Sequence, residues 1–117
     1  MIRIVTESMS DFTQEEAKAA DLIVMPLPIR FGMEEYWDDG VSLTQDDFYA
    51  RLRVAKELPK TSQVPVEHYR KCFNRLLENP EDEVLVITGS SKLSGCYQSA
   101  CIAREACHDP ARVTVLD

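Results

Sequence analysis

The sequence predicts an α/β fold, a parallel four-stranded sheet flanked by helices. Short apolar and β-branched runs, Ile2–Val5, Leu22–Pro28, Val84–Thr88 and Val113–Leu116, alternate with segments of helical character. The runs are apolar at consecutive positions, the pattern of parallel strands covered on both faces. A length of 117 residues fits one α/β domain over 1–117 with a modest core.

Ile2–Val5 is the first strand. Thr13-Gln14-Glu15-Glu16 is a capping-box signature, and the following Ala-Lys-Ala-Ala continues a short helix. Leu22–Pro28 is the second strand, extended through Ile29–Phe31; its prolines suit an edge strand or one that frays into a loop. Residues Gly32–Ser42 read as an acidic, aromatic-containing loop. Thr44 is an N-cap candidate for a helix running through Glu57. Leu58–Gln63 reads as a loop, and Pro65 suits the first turn of the next helix. In that helix Val66, Tyr69, Phe73, Leu76 and Leu77 fall on one face. Asn79-Pro80 ends it, before the Val84 strand, a helix opened by Gly95 and the final strand Val113–Leu116.

The predicted strand order is 2-1-3-4, which makes the first strand the point where the winding reverses. Ligands of such sheets sit beyond the carboxyl ends of the strands at that point. Two polar loops are expected there: Thr6–Asp11 after the first strand and Gly89–Gly95 after the third. The Thr61-Ser62 loop is a third candidate, although topology does not force it close.

Composition narrows the function classes. Net charge is −7 and the pI about 4.8, which argues against binding nucleic acid or anionic membrane. No apolar run approaches the roughly 18 residues of a membrane span. The N-terminus lacks a signal-peptide apolar region, so a cytoplasmic location is expected. The cysteines, Cys72, Cys96, Cys101 and Cys107, form no C-x-x-C pair and read as reduced thiols on helix faces. Cys96 alone sits in a first helical turn, where a thiolate would be stabilised. His68 and His108 lack zinc spacing. Glu34, Glu35, Asp38, Asp39, Asp46 and Asp47 lack EF-hand spacing and read as a solvated acidic surface; no metal site is expected. No cofactor is expected either, since no P-loop or dinucleotide fingerprint is present. The GSS-x-x-SG sequence is not the G-x-S-x-G elbow of serine hydrolases.

The stretch Glu83–Cys107 is the most informative. A strand stops at Gly89, the hydroxyl-rich turn Ser90-Ser91-Lys92-Leu93-Ser94 follows, and Gly95 opens a helix. A helix N-terminus presents unpaired N–H groups and a partial charge of roughly +0.5. With hydroxyl donors and a glycine for close approach, such a turn can hold an anion. Ser at a helix start is also a common plain N-cap, and Thr61-Ser62 alone a common loop or capping pair.

The ordered set TES-x-SD, FG-x-E-x-Y, LPKTSQ-x-P, EVLVIT-x-SS-x-LSG-x-YQSA and VTV-x-D resembles the N-terminal domain of DegV family proteins over nearly the whole chain. The resemblance implies a non-catalytic fatty-acid carrier, with a long-chain fatty acid as ligand and the acyl chain buried in the α/β domain. It implies a fatty acid kinase as the partner to which the carboxylate is presented in bacterial phospholipid metabolism. By motif match, Thr61 and Ser94 become carboxylate ligands, supported by Ser62 and the Gly95 N–H. Glu7 stands where the family usually has Asp, Met9 where it usually has a hydroxyl residue, and Cys96 where it usually has Thr. The family carries a second domain, absent from residues 1–117, that supplies a basic residue and closes the pocket; a truncated chain or gene fragment is therefore expected.

A lipid ligand also fits the energetics. Each buried methylene contributes roughly 0.8 kcal/mol, so a long acyl chain supplies on the order of 10 kcal/mol before association costs. Head-group contacts of about 1.5–3 kcal/mol each would set orientation. Two alternatives stand beside the carrier: an acyl- or phosphoryl-transfer enzyme using Ser91 or Ser94, and a structural or partner-binding domain.

Overall fold

In the computed structural model, which describes residues 1–117, the chain runs β1 (Ile2–Glu7), α1 (Gln14–Ala19), β2 (Leu22–Met25), β3 (Pro28–Phe31), β4 (Glu34–Trp37), α2 (Gln45–Val54), β5 (Lys60–Thr61), α3 (Val66–Leu76), β6 (Glu83–Ile87), α4 (Cys96–Ala106) and β7 (Val113–Leu116). Single 3-10 turns follow β1 and precede β7. The helices start where the sequence provides caps. Thr13 and Thr44 hydroxyls accept the N–H of Glu16 and Asp47, each at 3.1 Å. Pro65 precedes α3, where its missing N–H costs nothing. α2 stops at Val54, short of Glu57: Ala55 turns extended, and α2 buries no side chain that would hold a further turn.

The four apolar runs form one parallel sheet in the order β2-β1-β6-β7, as the alternating pattern predicts. Register decides what is buried. Val5 pairs with Val86 and Val84 with Val113, so all four point to one face. There they meet Tyr69, Phe73 and Leu76 of α3 and Ala100 and Ala103 of α4, forming the core. The two alanines are fully buried, which lets α4 lie close against sheet and α3. The opposite face departs from the expected double cover. α1 packs beside β2, but Ile87 and Leu116 remain 43% and 46% exposed.

A second sheet, β4-β3-β5, is antiparallel and replaces part of the expected loops at Gly32–Ser42 and Leu58–Gln63. Its hairpin turns at Gly32-Met33, with Gly32 at φ +60°, in the left-handed region that favours glycine. α2 rides on this hairpin: Phe48 packs on Phe31 with ring centroids 5.8 Å apart, and Arg51 lies over the Tyr36 ring. Arg112 fastens the far end of the molecule. Its guanidinium donates to the carbonyls of Leu77, Asn79 and Asp82, joining the end of α3 to the turn before β7.

Candidate functional site

The carboxyl ends of β1 and β6 lie side by side where the winding reverses, and the loops that leave them are tied together. Gly89 N–H donates to both oxygens of Glu7, at 3.1 and 3.3 Å. Glu7 is only 1% exposed. Burial pushes its carboxyl above the ordinary range near 4.5, and the Gly89 hydrogen bond opposes that rise. A Cβ at Gly89 would meet the Met9 methyl at 2.5 Å, the free end of a flexible side chain that is 41% exposed and can move aside. Ser8 is spent on structure, its hydroxyl accepting Leu27 N–H at 3.0 Å.

The hydroxyl-rich turn is partly self-satisfied. Ser91 donates through its hydroxyl and its N–H to the two carboxylate oxygens of Asp117, at 2.6 and 2.7 Å. Those bonds hold the Asp117 carboxyl below its usual range. Ser90 accepts Lys92 N–H. Gly95 is the N-cap of α4 and Ser94 precedes it; the Ser94 hydroxyl accepts Cys96 N–H at 3.2 Å, yet its own proton meets no acceptor within the protein. Gly95 N–H likewise has no acceptor in the chain. The structural and binding readings of Ser94 are therefore compatible.

The third loop does reach this turn. β5 pairs with β3 at Ile29–Thr61, and Ser62 N–H donates to Pro28 O. The chain then crosses to the start of α4. The Gln63 side chain lies against Gly95, where a Cβ would stand 3.2 Å from its amide carbon. Val64 N–H donates to the Cys96 sulfur at 3.5 Å. Thr61 and Ser62 are exposed, and neither hydroxyl bonds to the protein. The structure thus sets Gln63 and Val64, which directly follow Thr61-Ser62, against Gly95 and Cys96, which directly follow Ser94, a juxtaposition unreadable from strand order. The cations on these segments are Lys60 and Lys92, both exposed.

Three residues gain a role that sequence reasoning missed. Tyr69, read as a core face residue, is fully buried, and its hydroxyl has no hydrogen-bond partner. Burial pushes its proton affinity up, with Cys96 and Glu7 close by adding to the rise. Cys96 is fully buried, and its sulfur accepts Val64 N–H, tying the segment after Thr61-Ser62 to α4. Asp117 anchors the turn through Ser91. A carboxylate predicted in a hydroxyl-rich loop, as Glu7 is, was the available signal for the first cluster.

Elsewhere the polar residues are engaged structurally. Glu34 binds Arg51 at 3.0 Å and accepts the Tyr36 hydroxyl; Asp39 accepts the N–H groups of Val41 and Ser42. No three His, Cys, Asp or Glu side chains converge to hold a metal. His68 packs against Trp37 with ring centroids 5.0 Å apart. A cleft of about 610 Å³ lies at the amino ends of the strands, lined by Arg3, Arg75 and Asp82, and contains neither Thr61 nor Ser94. No helix is long and apolar enough to cross a membrane.

Comparison with known proteins gives the family and the fold. The family model described as an uncharacterised protein of the DegV family matches residues 1–117. A DegV domain-containing protein of Caldanaerobacter subterraneus subsp. tengcongensis is 39% identical over 116 residues, 99% of this chain and 40% of its own length. A Thermotoga maritima protein whose structure is described as revealing a fatty acid binding function superposes with a TM-score of 0.87 at 34% identity, covering 99% of this chain and 42% of that one. A stearic acid-binding protein of Eubacterium ventriosum gives 0.88 at 31% identity, covering 100% and 41%. The chain thus spans about two fifths of the length of the relatives it matches.

Proposed function

This chain belongs to the DegV family, and from that premise we propose that it is a fatty-acid-binding module. It holds a long-chain fatty acid with the carboxylate between Thr61 and Ser94, assisted by the Ser62 hydroxyl and the Gly95 N–H. One observation carries the reading. Two segments distant in sequence meet at the strand switch point with hydroxyls and an N–H that have no acceptor in the protein. Donors left open at a helix N-terminus are what a carboxylate needs. The similarity to solved fatty-acid-binding proteins supports the ligand class.

In this reading the module serves a carrier rather than an enzyme. A serine nucleophile has less support, because Ser91 is committed to Asp117 and neither His68 nor His108 lies on the segments around Ser94. The relatives are more than twice as long, and the basic group expected to close the pocket belongs to the remainder of such a longer protein. Presentation of the acyl carboxylate to a fatty acid kinase, in the cytoplasm, follows from the family resemblance.

The test is delipidation followed by titration with a fluorescent long-chain fatty acid. Saturable binding that Thr61→Ala weakens without loss of stability is expected. Unchanged affinity in both Thr61→Ala and Ser94→Ala variants would falsify the assignment of the head-group site.

A further inference from the structure

Glu7 is a buried carboxyl group without a counter-ion in a place suited to anions. It ends β1, and none of the ion pairs in the molecule includes it. Its hydrogen bonds come from one donor, the N–H of Gly89 after β6. From α3 the titratable neighbour is Tyr69, whose hydroxyl is unpartnered and stands near Cys96 of α4, whose sulfur accepts Val64 N–H. β2 offers Met25 opposite Glu7, and the following turn offers Ser8, already bonded to Leu27. No element packed around Glu7 brings a positive charge to it.

We infer that Glu7 is a positioning residue of the head-group site that works in its neutral form, holding Gly89 and hence the Ser94-bearing turn without setting a second negative charge beside the bound carboxylate. This rests on the fatty-acid reading above. An ionised Glu7 would add a second negative charge at the base of the turn that carries Ser94, with no cation on the surrounding elements to offset the repulsion. Binding then draws a proton onto Glu7 whenever it starts ionised. One linked proton sets the limit: affinity falls by up to about tenfold per pH unit above the carboxyl's own titration. Burial has already raised that titration, which moves the window toward neutral pH. The inference separates carboxylate ligands from uncharged ones, since a long-chain alcohol gains nothing from a neutral Glu7.

Titration of the delipidated chain with cis-parinarate, from roughly pH 6 to pH 9, tests this, using wild type, Glu7→Gln and Glu7→Ala. Glutamine keeps an oxygen for Gly89 N–H and cannot ionise, so its profile flattens while that of wild type falls with pH. Alanine removes the tie and weakens binding at every pH. A long-chain alcohol competing for the site shows no such slope in wild type. Parallel pH profiles for wild type and Glu7→Gln overturn the inference, as does a flat wild-type profile. Absence of parinarate binding by wild type at any pH overturns the fatty-acid reading itself. If Glu7→Ala does not fold, the glutamine variant decides.

Discussion

Single residues divide here into those that hold the site together and those left open for a ligand. Ser94 does both, so Ser94→Ala should lower stability by about 1 kcal/mol through the lost hydrogen bond from Cys96 N–H as well as weakening fatty-acid binding. Thr61 bonds to nothing in the protein through its side chain. Thr61→Ala should weaken binding by about 1.5–3 kcal/mol, one charge-assisted hydrogen bond, and leave the melting temperature unchanged. Paired calorimetry and ligand titration separate the two. Glu7 makes a different prediction, about folding alone. Its folded-state pKa is raised, so its contribution to stability is intact below pH 4.5 and is lost as pH rises through the folded value. Glu7→Gln should therefore gain stability relative to wild type across that window, read as a widening difference in thermal midpoint from pH 4.5 upward. Sequence reading singled out Thr61, Ser62, Ser94 and Gly95 as candidates because their motifs are local. The partners of Glu7 were hidden: Gly89 and Tyr69 lie 82 and 62 positions away in the chain, and no local pattern records such contacts.

At the scale of elements, the strands and helices of the parallel sheet were legible because their signals are strong. Val84–Ile87 is an unbroken apolar run, Val113–Leu116 is broken only by the β-branched Thr114, and the face of α3 carries its apolar residues at helical spacing. The β3–β4–β5 sheet was not. Its strands are four, four and two residues long and partly exposed, and Pro26 and Pro28 interrupt the run that leads into them. The available signal was Gly32-Met33, a two-residue loop between strand-compatible tetrapeptides. Elements also show where single contacts matter most. Arg112 satisfies three carbonyls at the end of α3 and the loop after it. Arg112→Ala should cost on the order of 3 kcal/mol, with amide exchange accelerating first in the last turn of α3. Gly89→Ala forces a methyl into the Met9 side chain. The Met9 methyl ends a flexible side chain that is 41% exposed and can swing aside, so the substitution should change stability by no more than about 0.5 kcal/mol, read as a nearly unchanged thermal midpoint.

Across the whole molecule, the core lies on one side of the sheet and the candidate site on the carboxyl edge, where α4 begins. That division lets the site be open while the core stays packed. It also explains why the sheet order could be read from the sequence and the convergence of three loops could not. Strand order follows from alternating periodicity, whereas the Thr61 loop reaches Ser94 through Gln63, Val64 and Cys96, contacts set by tertiary packing. The central claim is that this packing creates a carboxylate site for a long-chain fatty acid. Native mass spectrometry of the purified chain tests it most directly, before and after delipidation and after adding back one fatty acid. Wild type should carry or regain a single acyl chain, and the Thr61→Ala/Ser94→Ala double variant, folded by circular dichroism, should fail to retain it. Equal retention by the double variant, or no acyl adduct on wild type after add-back, would contradict the claim.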